Sequence, residues 1–131
     1  MSPASRRGKS NYLNLVVRQT KGLAGASRAV LVERFARAYY AQLSLDDLQT
    51  SDPSALAASA HSLFKFSATR KPKASLIRVF NSASEKVSKR HPVRTIIEII
   101  TDDMPFIVDS VMAELNRHDV LVHLIAHPVI P

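Results

Sequence analysis

A chain of 131 residues holds material for one modest hydrophobic core. Its 46% hydrophobic and 22% charged residues match a globular domain, and no apolar run approaches the roughly 20 residues that span a bilayer. The lack of cysteine excludes a disulfide framework, a thiolate nucleophile and a cysteine zinc site, so a soluble, cytoplasmic domain is expected.

The net charge of +7 is unevenly placed. Residues 1–37 hold eight basic side chains and one acid, Glu33, whereas residues 38–131 hold ten of each sign. The first 27 residues show little hydrophobic periodicity beyond the run Tyr12 to Val17 and read as a basic, mostly irregular arm. Such an arm tracks phosphates, acts as a transit peptide or is simply solvated; the last is the ordinary fate of a charge run. No zinc finger or aromatic RNA-binding signature supports nucleic acid. Lys21-Gly22-Leu23-Ala24-Gly25 lacks the Gly-Lys-Ser/Thr ending of a phosphate loop.

Residues 28–131 read as the folded part. Ser27 is placed to cap a helix over about 28–43, with Val30, Leu31, Phe35, Ala38, Tyr39 and Leu43 as its apolar stripe. Ser44 and Asp47 have capping-box spacing. Asp52-Pro53 opens a helix over about 53–68 that stacks Leu56, Ala60, Leu63 and Phe64, with alanines that permit close packing.

After a basic loop at 69–75, Leu76 to Phe80 reads as a strand and Asn81 to Pro92 as a polar connection. The β-branched run Thr95 to Ile100 is the clearest strand signal. Glu98 within it is expected to pair with Arg78 on a solvent-facing side, because a carboxylate sealed alone in a core is costly. Asp102-Asp103-Met104-Pro105 opens a helix to about His118, with Ile107, Val108, Val111, Met112 and Leu115 as its buried stripe. Val120 to Ala126 reads as a last strand.

Three segments carry a resemblance: Arg70 to Asn81 (RKPKASLIRVFN), Glu98 to Val111 (EIITDDMPFIVDSV), and Glu114 to Arg117 (ELNR) with Val122 to Val129 (VHLIAHPV). Together they resemble the N-terminal ACT-like region of the large bacterial NAD-dependent glutamate dehydrogenases, over about residues 28–131. The resemblance implies an α+β fold, a truncated ACT-like (ferredoxin-like) βαβ sheet with two N-terminal helices packed on it. It implies a parent enzyme that converts L-glutamate and NAD to 2-oxoglutarate, ammonia and NADH, with catalysis and NAD binding in other domains. Gly8, Gly22 and Gly25 all precede the fold, so no glycine-rich dinucleotide turn is expected here. Two residues depart from the family pattern. Phe106 stands where many ligand-binding ACT domains have glycine, and Lys73 stands where this family often does.

The resemblance makes the chain a non-catalytic regulatory or assembly segment, with other domains or subunits of the parent, or a second copy, as partners. A free-standing amino-acid sensor of ACT type is the alternative, and a basic nucleic-acid-binding module a more distant one. Asp102, Asp103, Met104, Pro105, Phe106 and Asp109 form the candidate effector-binding or domain-contact turn. Its carboxylates suit an ammonium group and its helix N–H groups a carboxylate, while ordinary helix capping accounts for the same residues. No catalytic, cofactor or metal residue is expected. His123 and His127 lie about 13 Å apart along an extended strand, too far to share one metal.

Overall fold

The computed structural model describes residues 2–81 and 94–130. The expected polar connection after Asn81 lies largely outside them. Four helices come first: α1 (Pro3–Ala24), α2 (Ala29–Tyr40), the single turn α3 (Leu45–Leu48) and α4 (Pro53–Ser67). Strands β1 (Leu76–Asn81) and β2 (Thr95–Ile100) form an antiparallel pair, and helix α5 (Ile107–Arg117) follows. The α+β class therefore stands, with helices ahead of an ACT-like strand–helix unit.

The basic arm is not irregular: α1 is a 22-residue helix. Ser2 accepts the Ser5 N–H at 3.1 Å as its N-cap, Pro3 occupies the first turn, and the Gly25 N–H donates to the Lys21 carbonyl at 3.1 Å to close the other end. The helix forms because tertiary packing completes a thin stripe. Val16, Val17 and Thr20 are buried against α2 and α4, and the Thr20 hydroxyl donates to the Val16 carbonyl. Gly25 sits at φ 85°, ψ 167°, a region only glycine enters freely. Gly25→Ala is therefore expected to lower stability by about 1–3 kcal/mol in urea unfolding.

The core gathers Val16, Val17, Ala36, Tyr40, Leu48, Ala57 and Ala60 from all four helices, with Leu43 from the turn between α2 and α3. Ala57 and Ala60 are fully buried, so the alanines of α4 do permit α1 to pack closely. Packing against α1 also turns α2 from its expected phase. Val32, Phe35, Ala36 and Tyr40 are buried, while Val30 and Leu31 face outward. Ser27 does not cap α2, which follows directly from a 3-10 turn at Ala26–Arg28. Ser44 does cap α3, accepting the Asp47 N–H at 3.1 Å.

In the sheet, Leu76 pairs with Ile100, Arg78 with Glu98 and Phe80 with Ile96. These six residues share one face by alternation, and through Arg78 that face meets α4. Ile77, Val79, Ile97 and Ile99 form the other face and are exposed. The Arg78–Glu98 pair exists but is not solvent-facing: Glu98 is only 7% exposed. The register places it on the helix side of the sheet.

Two further expectations change after β2. Helix α5 starts at Ile107, not at Asp102, and its apolar stripe of Ile107, Val108, Val111, Met112 and Leu115 is half-buried, with no residue fully buried. Residues 120–130 carry no regular structure, so the expected last strand is not formed. An extended apolar segment becomes a strand only with a ladder partner.

Candidate functional site

The six residues of the β2–α5 turn separate into two groups. Asp102 is drawn back toward the basic loop: its carboxylate accepts from Arg70 Nη2 at 2.6 Å, and Arg70 Nε donates to the Ala74 carbonyl at 2.6 Å. Ser75 and Thr101 share a hydroxyl–hydroxyl hydrogen bond of 2.9 Å beside it. These contacts tie the loop before β1 to the end of β2. Asp102 is thus a structural anchor, and neither it nor Asp103 is the residue at the N-cap of α5.

The other five, Asp103, Met104, Pro105, Phe106 and Asp109, line one open hollow of about 540 Å3 with Ile107, Val108 and His127. The position before α5 belongs to Phe106, which supplies no side-chain cap. The Ser110 N–H is satisfied by the Phe106 carbonyl at 2.9 Å, while the N–H groups of the first turn have no partner within the helix. The hollow therefore offers carboxylates from Asp103 and Asp109 and helix N–H groups from α5. Nothing in the sequence placed His127 there, since it lies 18 positions beyond Asp109 and reaches the turn only through the irregular segment after α5. Among the described residues, no three His, Asp or Glu side chains group to hold a metal.

Phe106 is 73% exposed and held at φ 66°, and Lys73 at φ 62°. Left-handed backbone is costly for a side chain with a Cβ and free for glycine. Both positions, read from the sequence as departures from a glycine, thus take a backbone conformation that favours glycine. Phe106→Gly is expected to leave the fold intact and raise stability by up to about 1 kcal/mol in thermal unfolding, since the strain removed exceeds the gain in unfolded-chain entropy.

Residues 35–131, which include both sheet strands, the turn and α5, match the family described as "Glutamate dehydrogenase, ACT1 domain". The chain belongs to this family. It is 35% identical over 103 residues to the NAD-specific glutamate dehydrogenase of Halomonas elongata and 34% identical over 95 residues to that of Pseudomonas aeruginosa. These alignments cover 79% and 70% of this chain but 6% of each relative. The chain thus spans a small fraction of the curated relatives it matches. No solved structure gives a significant match. For an ACT1 domain of this family, the match begins inside α2, so α1 and its basic side chains lie outside it. No helix among the described residues is long and apolar enough to cross a membrane.

Proposed function

We propose that this chain is a non-catalytic regulatory and assembly segment of an NAD-dependent glutamate dehydrogenase of the cytoplasm. In that reading, glutamate oxidation and NAD binding belong to other parts of the parent enzyme, and these residues dock against its domains or subunits. One observation carries the reading. The ACT-like half leaves the outer sheet face of Ile77, Val79, Ile97 and Ile99 exposed, an apolar surface that water disfavours. The sheet edges, without a third strand among the described residues, add hydrogen-bonding capacity beside it.

Sedimentation of the purified chain tests the docking role. Concentration-dependent association is expected, and Ile77→Lys/Ile99→Lys should abolish it. A monomer at every accessible concentration argues against the role.

The hollow at the β2–α5 turn favours a second reading, an amino-acid sensor, because it combines carboxylates for an ammonium group with helix N–H groups for a carboxylate. Titration calorimetry with a panel of amino acids distinguishes the two. Heat with one amino acid, lost in Asp103→Asn, supports the sensor, and silence across the panel leaves assembly alone.

A further inference from the structure

Residues ahead of the family match, with Arg37 just inside it, form a second charged surface. By helical spacing Asn14, Arg18 and Lys21 share one face of α1, Glu33 and Arg37 share one face of α2, and Arg34 is a neighbour of Arg37. All but Arg34 line a hollow of about 330 Å3 between the two helices.

The hollow already seats a carboxylate. Glu33 accepts from Lys21 Nζ at 3.1 Å through one oxygen and from Arg37 Nε at 2.9 Å through the other, and Arg37 also donates to the Asn14 amide oxygen at 3.1 Å. These hydrogen bonds, from Arg37 first and Lys21 second, hold the Glu33 carboxyl below its usual pKa. Arg18, which lines the hollow, and Arg34, three positions before Arg37 on α2, are exposed and make no ion pair among the described residues. Val30, 72% exposed, lies beside Arg34 on the same face of α2. A carboxylate-clamping pair, two free guanidinium groups and an exposed aliphatic side chain fit a protein surface better than a phosphate track, which offers nothing to Val30.

We infer that the α1–α2 face docks an acidic protein segment, whose carboxylates take Arg18 and Arg34 and compete with Glu33 for Lys21 and Arg37.

Fluorescence anisotropy at low ionic strength tests this with labelled poly-L-glutamate and a labelled DNA duplex of equal charge. Poly-L-glutamate is expected to bind the 131-residue chain more tightly than the duplex. Arg18→Glu/Arg34→Glu should weaken it at least about tenfold, whereas Lys71→Glu, a charge change in the basic loop, should leave it unchanged. Glu33→Gln should strengthen binding by vacating the internal seat, a gain that misfolding does not imitate. Tighter binding of the duplex, equal loss in Lys71→Glu, weakening in Glu33→Gln, or no binding of either polymer each overturns the inference.

Discussion

Arg78→Met is expected to destabilise the protein by about 3–5 kcal/mol, measured by urea unfolding at neutral pH. Glu98 is the one buried acid among the described residues, and Arg78 is its partner across the strands at 3.0–3.3 Å. The same guanidinium donates to Ser62 of α4 at 2.9 Å and lies over the rings of Phe66 and Phe80 at 4.4 and 5.0 Å. Removing it strands a carboxylate between sheet and helices and strips both rings of their cation–π contact. Glu98→Gln is expected to cost far less, because a neutral amide is cheaper to bury and still accepts from Arg78. Comparable losses in the two variants would show that the charge pair is not what joins the layers.

The same site sets a pH dependence. Burial, opposed by Arg78, raises the Glu98 pKa above its ordinary value of 4.5. A carboxyl raised in the fold is bound better in its protonated form. Its contribution is complete below pH 4.5 and is lost as pH rises through the folded value. Urea midpoints measured upward from pH 4 should therefore fall in the native chain relative to Glu98→Gln, and a parallel pair of curves would refute the assignment. The neighbouring phenols stay protonated across this range: burial first, then the Glu98 charge, pushes Tyr39 up to about 12, and burial raises Tyr40 further.

Leu48→Ala carries the second large effect, a loss of about 2–5 kcal/mol by urea unfolding. Leu48 is fully buried although it ends a helix of only four residues. The turn around it is rigid: Ser44 caps its start, Tyr12 donates from α1 to the Ser51 carbonyl, and Tyr40 donates from α2 to the Leu56 carbonyl at 2.8 Å. Held on these sides, the site has little freedom to collapse, so the cavity should persist and the cost should lie high in the range. A cost under about 1 kcal/mol would mean that the α2–α4 connection closes over the gap.

Much of the local structure was legible because it depends on short-range chemistry. The β-branched runs gave both strands, and their cross-strand alternation gave the Arg78–Glu98 pair. Asp52-Pro53 and Ser44 marked helix starts within a residue. The start and stop signals of α1, Ser2-Pro3 and Gly25, were equally present. They were outweighed by a polar, glycine-containing composition whose apolar stripe is too thin to read alone. The turn site was half legible. Its residues were named from the pattern, but the removal of Asp102 by Arg70 and the arrival of His127 are contacts between distant positions.

Residue order by itself determined the family, the two strands and the Arg78–Glu98 pairing between them, since these follow from side-chain chemistry over a few neighbours. Tertiary structure alone decided that the basic N-terminal residues are a packed helix, which face of α2 is buried, that Glu98 lies inside, and that α5 is only half-buried while the segment after it forms no strand. Each of those outcomes turns on whether an apolar surface meets another across the fold, and burial is a property of the pair of surfaces.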